Sequence, residues 1–432
     1  MKLLVLALDG VPFELFASMR DDLPNLAELA DRGGWGAMRA VDPPITVPAW
    51  ASMFTGLDPG ELGIYGFRHL KRGTYSGYVV TSLELRARYV WEEMGLKSVV
   101  IGLPPGYPPR RYGVWISDFY TPGTDRPWTH PPELAKEIGR YIFDITYRTS
   151  EKEKAYRELV EMTELRWRVA EALLNKYDWD IFVVHEIGTD RAHHLFQKYW
   201  DPYHPLYDPS SPFSEYIPSY YSLVDKLAGK LVDAAKRKYG EVAVLAVSDH
   251  GNQAQRGVFA INEWLIGEGL LELRREPSRG EDVEKAEVNW GRTKAWAWGG
   301  YYARIFINKA GREPQGVVGE EEYYDLVKEL KRKLRSLKAP FGYIQNEVYE
   351  PAQLYRRLNG DAPDLMAYFD GVRVRPVQSL GWGTLWLEGN DRGPDDSLHS
   401  FNGVIISTEL YGKRDVYALD VAGHVRRILA GR

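Results

Sequence analysis

The sequence predicts an α/β fold, with a mostly parallel central sheet covered by helices on both faces. Three observations carry that prediction. Short apolar runs recur at 2–8, 97–102, 180–185, 241–247, 364–369 and 403–407 and read as buried strands, several parallel in character. Helical patterns intervene, as at Leu23 to Arg32 and at Ser222 to Lys238 with its Leu/Val/Ala spacing. Polar residues able to do chemistry stand at the ends of these runs, where open α/β sheets build their sites.

The first run, Leu3 to Leu8, closes on Asp9-Gly10. No G-x-G-x-x-G follows, so a dinucleotide turn is excluded, and an ordinary turn or cap explains the pair as well as a site does. Thr46 lies in Pro43-Pro44-Ile45-Thr46-Val47-Pro48-Ala49-Trp50, where a helix should begin. The plain expectation is an N-cap with Pro48 in the first turn. A hydroxyl at a helix start also meets free backbone N–H groups and the positive end of the dipole, which suit phosphate.

Asp190 and His194 lie in Glu186-Ile187-Gly188-Thr189-Asp190-Arg191-Ala192-His193-His194, just after the 180–185 run. Spacing i,i+4 puts both on one helical face, where they can share an ion. His193 at i+3 reaches the same face, so spacing alone leaves the choice of histidine open. In Ser248-Asp249-His250-Gly251-Asn252 an Asp-His pair ends a strand while Gly turns the backbone away. That pair serves either to hold an ion or, with Asp as cap, to start the next helix. His399, in Asp395-Asp396-Ser397-Leu398-His399, precedes the 403–407 run and is equally compatible with an ordinary loop.

Two stretches break the alternation. Residues 103–175 carry Pro-rich turns and then a long charged helix. Residues 266–350 combine a polar turn, the aromatic segment Trp290 to Tyr302 and the basic helix Tyr323 to Arg335. Both are expected as cap insertions over the site of a single domain spanning 1–432.

Composition bounds the rest. A net charge of −5 gives no general attraction to nucleic acid or to an anionic membrane, so a phosphorylated ligand must be held by a local positive site. Bound metal is the obvious source. Cysteine is absent, which removes disulfides, thiolate ligands and cysteine nucleophiles. Together with only 7 Met, that fits a reducing interior or a hot habitat. The opening run is too short and too abruptly acidic for a signal peptide, and no run approaches the ~20 apolar residues of a membrane span. A cytoplasmic location is expected; the oligomeric state is not encoded in these features.

Taken together and in this order, the pieces resemble the alkaline phosphatase superfamily. The likeness is strongest to its type I phosphodiesterase/nucleotide pyrophosphatase branch, including microbial proteins labelled only as predicted phosphohydrolases or phosphomutases. The matching stretches are Leu6 to Gly10, Pro43 to Trp50 with Thr55-Gly56, Thr189-Asp190 to His194, Ser248 to Gly251, and Leu398-His399. Trp290 to Gly316 is similar to the predicted-phosphohydrolase group. The resemblance implies an alkaline-phosphatase-like α/β/α sandwich with cap insertions.

It also implies two divalent ions, one held by Asp190, His194 and His399, the other by Asp9, Asp249, His250 and the Thr46 oxygen. It thus selects His194 over His193. Zinc is the first expectation for such mixed sets, with manganese the alternative. The implied reaction is hydrolysis of a phosphoric ester through phosphothreonine at Thr46, with a phosphomonoesterase or phosphomutase as the alternative and a non-catalytic binding protein as the remote one. A formylglycine sulfatase is excluded, because Thr46 cannot become the aldehyde and Trp50 stands where that branch has Arg.

Arg68, His69 and Asn252 are candidate substrate contacts. The nucleotide-pyrophosphatase branch has an Asn near position 67 that donates to a phosphoryl oxygen; here the place is held by Phe67, followed by Arg68 and His69. An arginine delivered to the site would favour the extra charge of a monoester. The Thr46 motif keeps phosphodiester hydrolysis first. The expected partner is a small phosphorylated substrate, possibly a nucleotide.

Overall fold

The computed structural model describes residues 1–412 and 415–431. The main sheet contains β1 (Leu3–Leu8), β2 (Gly34–Arg39), β3 (Ser98–Ile101), β4 (Val114–Ile116), β5 (Thr129–His130), β6 (Ile181–Glu186), β7 (Ala243–Val247), β8 (Asn402–Ser407) and β9 (Val416–Tyr417). Across the sheet they run β9-β2-β8-β7-β1-β6-β3-β4-β5. The block from β7 to β4 is parallel; Leu3 of β1 lies opposite Ile181 on one side and Ala243 on the other. Antiparallel β8 and β5 close the block at either end.

Period-two geometry explains why β1 is apolar throughout. Leu4, Leu6 and Leu8 enter one core with α1 (Phe13–Met19), α2 (Pro24–Arg32), α4 (Lys152–Lys176), α5 (Gly188–Trp200) and α6 (Tyr216–Tyr239). Leu3, Val5 and Ala7 enter the other core with α3 (Thr46–Thr55) and α8 (Asp420–Leu429). The strand is buried from both sides. The chain is therefore a mixed α/β protein with a large, mostly parallel central sheet.

A second sheet stands beside the first. It runs through residues 295–298, 303–307, 365–369, 374–377, 257–260 and 386–387, with 346–349 added alongside 365–369. Helix α7 (Glu320–Arg335) covers one face through Leu326, Val327, Leu330 and Leu334.

Three sequence expectations change here. The 364–369 run is a strand, but of this second sheet and antiparallel to 303–307. The 103–175 segment is only in part a cap, since β4 and β5 widen the main sheet and α4 packs against α6 and β6. The stretch between β5 and α4 supplies Asp144, Tyr147 and Arg148 to the cavity beside Thr46, while the turn after β4 supplies Phe119 and Tyr120. Thr46 is not an N-cap. Ile45 occupies that position in extended conformation without a side-chain cap, and Thr46 is the first helical residue, its hydroxyl left for other use.

Candidate active site

Asp9 follows β1, Asp249 and His250 follow β7, and Asp190 and His194 ride on the first turns of α5 after β6. Because β7, β1 and β6 are adjacent and parallel, all five residues emerge at one carboxyl edge. Thr46 joins them from the start of α3, and His399 from the strand Ser397–Ser400, which pairs with Gly251–Ala254. All seven side chains are buried.

Ligand atoms of Asp9, Asp249 and His250 lie within 4.8 Å of one another, as do those of Asp190, His250 and His399. His194 Nε2 is 3.4 Å from Asp190 Oδ2, and the Thr46 hydroxyl is 3.3 Å from His250 Nε2. The structure brings all seven residues together. His193 points elsewhere, to Gln197 at 2.5 Å and Tyr221 at 2.9 Å, so of the two histidines it is His194 that faces Asp190, with Tyr301 OH also 3.3 Å from its Nε2.

Each inward histidine is held in a defined orientation. A carbonyl oxygen can only accept, so His250 Nδ1 donates to Gly251 O at 2.9 Å and His399 Nδ1 to Pro44 O at 2.8 Å. His194 Nδ1 donates to Asp395 Oδ1 at 2.6 Å. All three therefore turn Nε2 inward, as metal-ligating histidines do.

Asp9 is oriented from behind by two donors on Oδ2, Trp50 Nε1 at 2.9 Å and His185 Nε2 at 2.8 Å. Asp249 accepts from the Gly10 N–H at 3.2 Å through Oδ1. Among the described residues, Asp9 Oδ1, Asp249 Oδ2 and His399 Nε2 are buried with no hydrogen-bond partner. Buried polar atoms are rarely left so, and here they converge with three carboxylates. Divalent cations satisfy both conditions at once, and the donor set fits them.

Electrostatics agree. Burial, with Asp190 adding and His250 opposing, pushes Asp9 up to about 7. Burial and then Asp9 push Asp249 well above the usual carboxylate range. Burial pulls His194 down, but Asp190 and Asp395 outweigh it and hold the imidazole at about 10.

Local backbone chemistry shapes the floor. Gly10 has φ +66°, and a Cβ there would lie 2.4 Å from Asn252 Nδ2 and 2.9 Å from Asp190 Oδ1. Only glycine fits. Ser248 Oγ accepts from Val11 N–H at 2.8 Å and donates to His250 O, tying the β1 and β7 turns together.

The three expected substrate contacts are placed differently from one another. Asn252 donates to Gly10 O at 2.8 Å and Asp190 Oδ1 at 3.1 Å, and accepts from Ser397 Oγ at 2.8 Å. It is committed to positioning Asp190. His69 accepts the Tyr65 N–H at 3.1 Å, and burial with Arg304 nearby depresses it to about 3. It is a neutral support for its own turn. Arg68 does line the cavity, but its guanidinium forks onto Glu284 at 2.5 and 3.1 Å.

Several functional residues escaped the sequence reading. Asp395 orients His194, His185 and Trp50 orient Asp9, and Arg191 donates to Asp190 Oδ2 at 2.7 Å. Trp50 carried a signal, standing inside the Thr46 motif at a position where sulfatases have another donor. Asp395 carried a weaker one, four residues before His399.

A cavity of about 350 Å³ opens on Thr46, walled by Phe67, Tyr147, Tyr301, Tyr302 and several arginines. Residues 3–395 match the family described as type I phosphodiesterase / nucleotide pyrophosphatase. The chain belongs to that family. As a member it is an α/β phosphohydrolase of the alkaline phosphatase superfamily, with two groups of buried residues that could hold a metal ion.

No curated protein matches the sequence significantly. Solved structures share the fold. Murine ectonucleotide pyrophosphatase / phosphodiesterase 5 superposes with TM-score 0.57 at 14% identity, over 100% of this chain and 95% of that one. An inactive threonine-to-alanine variant of it in complex with AMP gives 0.55 at 15%, over 100% and 95%. Phosphonoacetate hydrolase from Sinorhizobium meliloti 1021 in complex with phosphonoacetate gives 0.65 at 14%, over 99% and 96%.

Proposed function

We propose that this family member is a two-metal phosphodiester hydrolase in which Thr46 is the nucleophile. The observation that carries the reading is the convergence of three unpartnered, buried ligand atoms beside the Thr46 hydroxyl, itself 3.3 Å from His250 Nε2. One ion would rest on Asp190, His194 and His399; the other on Asp9, Asp249, His250 and the Thr46 oxygen. Zinc suits these mixed imidazole and carboxylate sets, and manganese is the alternative. When bound, two such ions supply charge for the attacking and leaving oxygens of an in-line displacement.

The chain's own residues do the rest. Thr46 opens α3 with its hydroxyl turned toward the Asp9, Asp249 and His250 group and the cavity, and His250, fixed by Gly251 O, keeps Nε2 aimed at the same point. Free N–H groups in the first turn of α3 face the phosphoryl oxygens with the positive end of the helix dipole. Thr46 Oγ1 bonds to phosphorus as the P–O bond to the leaving oxygen breaks, and the hydroxyl proton ends on that oxygen, releasing the alcohol and leaving phosphothreonine. Water then cleaves the Thr46 ester and restores the hydroxyl. Two of the structural neighbours are recorded with AMP and with phosphonoacetate, which supports a small phosphorylated substrate here.

The test is a screen of phosphodiesters, phosphomonoesters and pyrophosphates after chelation and refilling with zinc, manganese or magnesium. Metal-dependent release of alcohol with a diester preference supports the reading. Transfer of the phosphoryl group to a second hydroxyl, with none to water, identifies a phosphomutase instead.

A further inference from the structure

The cavity beside Thr46 carries more positive charge than the proposed reaction uses. Six arginines line it against two carboxylates, Asp144 and Asp391. Four of the arginines are engaged. Arg191 grips Asp144 and Asp190, Arg68 forks onto Glu284, Arg392 lies 2.8 Å from Asp282, and Arg148 lies 3.0 Å from Asp395.

Arg375 and Arg304 are different. Arg375 is 6% exposed, its Nε has no hydrogen-bond partner among the described residues, and Asp391 Oδ1 faces it only at 3.9 Å. That carboxylate oxygen is itself unpartnered. Arg304 is 9% exposed and gives one Nη to the Arg68 carbonyl oxygen, while among the described residues its Nε is unpartnered and no carboxylate is bonded to it. Its guanidinium lies over the Trp298 and Tyr302 rings, at 5.2 and 5.8 Å.

A buried guanidinium without a bonded acid is costly, and native proteins seldom keep one unless something completes it. Both residues sit on strands of the second sheet, at 303–307 and 374–377, with 365–369 between them. Rigid strands hold such donors ready for a planar or tetrahedral oxyanion.

We propose that Arg375 and Arg304 form a second anion subsite in the cavity beside Thr46. The substrate is then a small phosphoester carrying a further anionic group, phosphate or carboxylate, away from the bond that is cleaved. This deepens the phosphohydrolase reading and rests on it for the role of the first phosphoryl group. Arg68, bound to Glu284 on the same wall, steadies Arg304 through its carbonyl oxygen and need not touch substrate.

The experiment is calorimetric titration of the metal-loaded protein with methylphosphonate and with α,ω-bisphosphonates of increasing chain length. A parallel series of ω-carboxyalkylphosphonates separates a phosphate-reading subsite from a carboxylate-reading one. At one chain length the second anion should tighten binding at least about tenfold over methylphosphonate. Arg375→Met and Arg304→Met should each bring that ratio down toward one, with Arg375→Lys keeping part of it. A merely structural role would weaken methylphosphonate and its two-headed relatives alike. No gain at any length in the wild type, or a gain that survives both Met variants, overturns the subsite. Full gain in a protein inert toward every phosphoester would overturn the hydrolase reading alone.

Discussion

Replacing Asp395 with Asn tests whether one ion depends on a residue that never touches it. Asp395 accepts from His194 Nδ1 at 2.6 Å through Oδ1 and from Arg148 Nε at 3.0 Å through Oδ2, with its side chain 0% exposed. An asparagine has one acceptor and one donor where the carboxylate had two acceptors. If its oxygen stays on His194, its NH₂ meets the Arg148 N–H. If it flips, the NH₂ meets the His194 N–H. Either arrangement turns the imidazole or loosens what holds it. Loss of such an outer partner lowers metal affinity by roughly 10–100-fold, or about 1.4–2.8 kcal/mol. In the proposed reading His194 would share one ion with Asp190 and His399, so only one of two binding steps should weaken. Equilibrium dialysis against buffered zinc, with bound metal counted by mass spectrometry, resolves the two steps. One step moved and the other within about threefold is the expected result. Both steps unmoved, or both moved equally with the fold intact, would refute the assignment of His194 to a single ion.

Three further outcomes follow from the same geometry. Gly10→Ala should destabilise the fold by about 2–4 kcal/mol, from the left-handed backbone and the contacts with Asn252 and Asp190, and should reduce metal content without removing a ligand; denaturant unfolding and metal analysis check it. Asp249→Ala and His399→Ala should each lower the bound metal count, because their ligand atoms fall in separate clusters, and a chelated preparation with full activity would contradict the metal reading. His69 is held at about 3 by burial and Arg304, below its unfolded value of about 6.5. Its contribution to stability is therefore complete above pH 6.5 and declines as pH falls, by up to about 1.4 kcal/mol per unit, so His69→Gln should flatten the acid side of the stability profile.

The legible parts of the molecule are those where chemistry is written next to a strand. β1, β3, β6, β7 and β8 lie within a residue or two of their apolar runs, because strands buried on both faces are apolar throughout. Asp9, Asp190, Asp249 and His250 stand out because Asp9 follows such a run directly and the others stand in the turns just beyond theirs. What stayed hidden depends on distant pairing. The 364–369 run looks like its neighbours, yet its partner is 303–307, and no periodicity says which sheet a buried strand joins. His185 meets Asp9 from 176 residues away, and Asp395 meets His194 from 201. Arg68 lines the cavity, but Glu284, which occupies its guanidinium, lies 216 residues downstream. Asn252 is a candidate substrate contact in sequence, but its amide is spent on Gly10 and Asp190, 242 and 62 residues away.

The most direct test of the central claim is rapid acid quenching during turnover of an aryl phosphodiester, followed by peptide mapping. The account predicts a phosphoryl group on Thr46 in the metal-loaded wild type. Thr46→Ala should keep its metal, carry no phosphoryl group and lose activity on the order of a thousandfold or more. Turnover by Thr46→Ala near the wild-type rate, with no phosphopeptide in either protein, would contradict it.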